Sequence, residues 1–99
     1  MSWKAITGNQ IPANAIVGGF DIDKTPLYIC RHKQSEDTIP GKANQKIGCY
    51  VTYDGIAIDY KTDYEILIGD NYDWVPRHGG DAVPKDAFVA GSDGAKNPI

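Results

Sequence analysis

No run of apolar residues in this chain approaches the roughly 18–20 needed to cross a bilayer as a helix. The opening Met1-Ser2-Trp3-Lys4 holds no apolar signal core, so no secretion signal is expected. The chain therefore reads as cytoplasmic, or as extracellular by non-classical release. Basic charge is scarce: 10 Lys and Arg stand against 13 Asp and Glu, for a net charge of −3. That balance argues against a nucleic-acid partner, whose binders carry a basic face. Histidine is limited to His32 and His78; neither has a second ligand at metal spacing, and both read as surface residues. The chain has no G-x-S-x-G elbow, no phosphate-binding glycine loop and no H-E-x-x-H, so no catalytic residue and no metal site are expected. Asp21-Ile22-Asp23 starts like a calcium loop, but the later ligands and the required Gly are missing. A protein without cofactor, and not an enzyme, is the expectation.

Cysteine is almost as rare. Cys30 and Cys49 are the only two, both lie inside apolar, strand-like runs, and they do not form a C-x-x-C pair. They read as two buried free thiols suited to a reducing compartment, with a cross-strand disulfide as the alternative. Cys30 and His32 share a strand face by their spacing. A nucleophile pair would also need hydrogen-bond contact and a third orienting group, which the sequence does not offer.

What the chain has is turn formers and aromatics: 11 Gly, 6 Pro, 6 Tyr and 2 Trp in 99 residues. This length makes a single domain, residues 1–99, with one modest core. Leu27–His32, rich in β-branched and aromatic residues, reads as a strand with both faces largely apolar. Ala15-Ile16-Val17 reads as a short strand stopped by Gly18-Gly19. Residues 33–47 read as a long polar loop containing the Pro40-Gly41 turn signal. Residues 49–53 and 56–60 flank Asp54-Gly55, a strong hairpin signal, because a type I′ turn needs positive φ at both central residues. Residues 64–68 form a further strand, ended by Gly69. No segment keeps helical apolar spacing over ten residues. The expected fold is all-β, a two-sheet antiparallel β-sandwich.

The chain also repeats itself. From Trp3 it reads WKAITGNQIPANAIVGGFDIDKTPL, and from Trp74 WVPRHGGDAVPKDAFVAGSDGAKNPI. Trp3 matches Trp74 and Gly8 matches Gly79. After a one-residue insertion Pro12, Ala15, Gly19, Asp21, Lys24 and Pro26 match Pro84, Ala87, Gly91, Asp93, Lys96 and Pro98. Repeat one is assigned to residues 3–69 and a partial repeat two to 74–99. Whatever follows Leu27 in the first copy has no counterpart in the second. Either that tail is vestigial or a neighbouring chain supplies the missing strands as a homodimer.

Two polar residues stand out. Asp21 follows Gly18-Gly19-Phe20 at the mouth of a turn, and Lys42 follows Pro40-Gly41. A carboxylate can accept two sugar hydroxyls, and an ammonium can donate to ring or hydroxyl oxygens. Taken alone, an Asp in a turn and a Lys in a loop are more often simply solvated.

The order of motifs resembles the DM-nine repeat proteins, also described as natterin-like or oyster-type mannose-binding lectins. The matching pieces are Trp3 with Gly8 and Pro12, then AIVGGFDIDKTPLYICR, IPGK, YVTYDGIA and YEIL, followed by the second start at Trp74. The resemblance implies a β-sandwich of two pseudo-symmetric repeats and calcium-independent recognition of mannose, often in innate recognition of microbes. It implies carbohydrate-binding roles for Asp21 and Lys42. Two departures bear on this. Only one PGK loop is present, so one complete site per chain is expected. The hairpin reads Tyr53-Asp54-Gly55-Ile56 where the family has aromatic-Gly-Gly followed by Glu. Mannose-containing glycans are the expected partners, and a non-catalytic protein-interaction or scaffold module is the alternative.

Overall fold

The computed structural model describes residues 2–7, 10–53, 55–69, 74, 79 and 87–92. Among them lie seven strands and no helix: β1 (Ser2–Ile6), β2 (Val17–Phe20), β3 (Pro26–Gln34), β4 (Asp37–Asn44), β5 (Gly48–Tyr53), β6 (Ile56–Tyr60) and β7 (Tyr64–Ile68). The all-β, antiparallel architecture is the one expected. The strands belong to one open sheet in the order β1-β7-β3-β4-β5-β6, with β2 paired to β3 off that path.

The hairpin at residues 49–60 forms as read: Tyr53 pairs with Ile56, and the ladder runs back to Cys49 opposite Tyr60. Gly55 supplies the positive φ, 78°, that the tight turn demands; Asp54 lies outside the described residues. Two other expectations are corrected. Residues 33–47 are not a loop. The chain turns at Ser35-Glu36 and returns as β4, which pairs with β3 from Gln34↔Asp37 to Tyr28↔Ala43. Pro40 is tolerated within this strand because the β4–β5 ladder starts only at Lys42, so its missing N–H costs no bond to β5. Val17–Phe20 runs through Gly18-Gly19, and a register shift between Val17 and Gly19 absorbs the irregularity.

The sheet doubles over on itself. His32 of β3 and Tyr60 of β6 are three strand spacings apart along the sheet, roughly 14 Å if it were flat. Their rings are in fact stacked 3.6 Å apart. This curvature lets a single open sheet enclose a core, in which Ile6, Cys30, Ala43, Cys49, Val51, Tyr64 and Ile66 are buried. Burial of each larger aliphatic side chain contributes roughly 1.5–3 kcal/mol.

Cys30 and Cys49 are joined in a disulfide, not held as free thiols. They lie on alternate strands, with Cys30 opposite Gly41 and Cys49 opposite Ala43. Two flat strand spacings would hold their Cα atoms roughly 10 Å apart; the bend at β4 brings them to 6.0 Å, within bridging range. The fold brings the two thiols together, and sequence spacing carries no trace of that. His32 is likewise buried rather than on the surface. Its Nδ1 donates to the Asp63 carbonyl at 2.8 Å. His78 lies outside the described residues.

Candidate functional site

Two turns meet at one end of the doubled sheet. The first joins β2 to β3 and carries Asp21. The Asp21 N–H donates to the Thr25 carbonyl at 2.9 Å, and its carbonyl accepts from Lys24 N–H at 2.8 Å. Its Oδ1 accepts the Ile22 N–H at 2.8 Å, a local bond of the kind that favours Asp in turns. Lys24 takes a positive φ of 68° to close the loop. Asp23 caps the same turn by accepting the Thr25 N–H at 3.0 Å. The Thr25 hydroxyl, then the Thr25 N–H, with the Lys46 charge adding a smaller share, hold the Asp23 carboxyl below its ordinary value. The Asp21 carboxylate is exposed and keeps acceptor capacity for a ligand.

The second turn follows β4. Lys42 lies within that strand, opposite Ile29 of β3 and Tyr50 of β5. Cross-strand partners share a face, so these three residues line the same side of the sheet. Lys42 is exposed, and its Nζ lies 5.3 Å from the Tyr50 ring centroid, within cation–π range. Asp21 and Lys42 are not paired with each other. The ion pairs among the described residues are Arg31–Glu65 at 2.7 Å and Lys46–Asp23 at 3.7 Å. It is Asp23 and Lys46, neither of them an expected binding residue, that link the two turns.

An open groove of about 360 Å³ lies between these turns, in the range of roughly 300–1,000 Å³ typical of small-molecule sites. Pro12, Pro26 and Tyr28 give it apolar surface; Thr25, Asn44 and Lys46 give it polar groups. Asn44 is 5% exposed. Its Oδ1 accepts the N–H groups of Lys46 at 2.8 Å and Ile47 at 2.9 Å, which identifies the other amide atom as the donor, Nδ2. These residues are remote in sequence and unremarkable in type. Asn44 and Lys46 fall within residues 33–47, read from the sequence as one long polar loop, and nothing there marks them as a site.

The remaining described part of the second copy crosses β4 elsewhere. Ser92 and Thr38 exchange backbone bonds of 2.7 and 3.1 Å. Phe88 packs on Trp3 with centroids 6.0 Å apart, and the Arg31 guanidinium lies 4.0 Å over Trp3. Of the residues matched by the duplication, Gly8, Pro84, Asp93, Lys96 and Pro98 lie outside the described residues.

The described residues thus include an exposed carboxylate at Asp21, an exposed ammonium at Lys42 and, between the two turns, a groove of mixed polar and apolar lining. The DM9 repeat model matches the chain twice, over residues 1–49 and 33–99. The chain belongs to the DM9 repeat family, a carbohydrate-binding type of domain. No curated protein matches it. Among the described residues no helix is long and apolar enough to cross a membrane.

Proposed function

We infer that this protein is a non-catalytic lectin that binds mannose-type glycans without calcium, using Asp21 and Lys42 as its principal polar contacts. The observation that carries this reading is the exposure of both charged groups on a chain of the DM9 repeat family. Asp21 accepts hydroxyl protons, Lys42 donates to oxygen, and the Tyr50 ring beside Lys42 offers an apolar surface for a sugar's C–H face. A single shallow site of this kind binds weakly. Avidity then comes from several copies, and a homodimer would provide two. The buried disulfide supports the extracellular setting over the cytoplasmic one, because such bonds persist in oxidising compartments. Innate recognition of microbes is the biological role that fits a mannose binder in that setting.

Retention on immobilised mannose tests the reading. Wild-type protein is expected to be retained and released by free mannose, while Asp21→Asn and Lys42→Ala are expected to flow through. Equal retention of all three rejects this site. A second reading, a protein-interaction module, is favoured by the exposure of Phe20 and Ile22 on either side of Asp21, at 67% and 100%. Failure across a broad glycan array, with a defined protein partner captured instead, would support it.

A further inference from the structure

We propose that the groove between the two turns is a second sugar subsite, so that the ligand is an extended glycan of at least two pyranose units rather than a lone monosaccharide. The proposal rests on the lectin reading and deepens it. The Asn44 side chain carries the argument. It is almost wholly enclosed, and its Oδ1 is fully engaged in capping the β4–β5 turn. Its Nδ2 makes no hydrogen bond to any described residue. Yet no buried side-chain nitrogen or oxygen among the described residues lacks a partner. Nδ2 must therefore keep access to an opening, and the opening that Asn44 lines is the groove. An amide held in place by its own oxygen is a fixed donor, hydrated when the groove is empty, that a sugar hydroxyl can engage in place of water.

The other lining groups complete what a pyranose needs. The half-buried Tyr28 ring, Pro12 and Pro26 offer apolar surface to a C–H face. At the rim the Lys46 ammonium and Asp23 carboxylate stand 3.7 Å apart, both well exposed, and can grip adjacent hydroxyls as donor and acceptor. Position links the groove to the primary site. Asn44 lies two residues beyond Lys42 on the same strand face, and Thr25 closes the turn that Asp21 opens. A chain of sugars seated on Asp21 and Lys42 has the groove as its continuation.

The test is calorimetric or NMR titration with methyl α-mannoside and with α-linked di- and trimannosides, on wild type, Asn44→Asp and Lys46→Ala. Asn44→Asp keeps the capping oxygen and removes the donor; exposed Lys46 can be truncated should the first variant fail to fold. In wild type the dimannoside is expected to bind about tenfold tighter than the monosaccharide, the worth of one or two good hydrogen bonds. Each variant is expected to lose most of that gain while binding the monosaccharide as before. If the monosaccharide binds and the dimannoside binds no tighter, the subsite is overturned and the lectin reading stands. A gain that survives both variants also overturns it, since the second sugar then lies elsewhere. If no mannoside binds, both readings fall.

Discussion

Gly41 lies so close to Tyr50 that a Cβ built on it would sit 2.1 Å from the Tyr50 carbonyl oxygen. Backbone meets backbone at this point, and the absence of a side chain lets β5 fold back across β4. The same crease brings Cys30 and Cys49 together and leaves Lys42, the next residue, on the outer face. Gly41→Ala is expected to destabilise the fold by about 3 kcal/mol or more, because no flexible side chain can yield. Gly19→Ala, whose added Cβ meets nothing within 4 Å, is expected to stay within about 0.5 kcal/mol of wild type. Urea unfolding of the two variants checks the contrast; similar midpoints would mean that the crease does not depend on Gly41.

The disulfide closes a loop with a sequence separation of 19 residues. Reduction, or replacement of both cysteines by Ser, is expected to cost about 3 kcal/mol through restored freedom of the unfolded chain. Denaturant midpoints with and without a strong reductant measure it. An unchanged midpoint in fully reduced protein would show that core packing alone holds the folded sheet.

Arg31 joins the sheet to the 87–92 segment. Its Nε donates to Glu65 at 2.7 Å, and its guanidinium covers Trp3, which in turn touches Phe88. Arg31→Lys retains the charge but loses the planar fork and the stack. A loss of about 1 kcal/mol is expected, together with faster hydrogen exchange at Thr38 and Ser92, whose amides bridge the segment to β4. Unchanged exchange at those two amides would rule out the clamp.

Burial pushes the Tyr64 hydroxyl above its ordinary value of 10.0. The folded state thus favours the neutral phenol. Its contribution is fully present below about pH 10 and is lost as pH rises through the higher folded value, since only the unfolded chain ionises freely in that window. Stability measured from pH 8 upward is expected to bend downward past pH 10, and less steeply in Tyr64→Phe. Parallel alkaline limbs in the two proteins would assign the loss to other tyrosines.

The parts of the fold legible in the sequence were those fixed by local chemistry. Asp54-Gly55 between two β-rich runs marks the β5–β6 hairpin, and Tyr64–Ile68 stands out by its composition. β4 was hidden because Pro40-Gly41 signals a turn when read alone. In the folded chain the proline falls where no β5 ladder exists, and the glycine falls where two backbones touch. Asp21 was correctly read as a turn residue, whereas Lys42 proved to lie in a strand. The groove could not be read at all. Tyr28, Asn44 and Lys46 are brought together only by the pairing of β3 with β4 and the closure of two turns, and the motif that contains Tyr28 gives that residue no site role. The disulfide was hidden for the same reason, since its geometry comes from the crease.

Chemical-shift mapping with methyl α-mannoside on isotopically labelled protein tests sugar recognition most directly. Perturbations are expected at the amides of Asp21, Ile22, Lys42 and Tyr50, saturating together, with Asp21→Asn abolishing them. A titration that moves no amide, or moves only those around Trp3 and Phe88, would contradict the account.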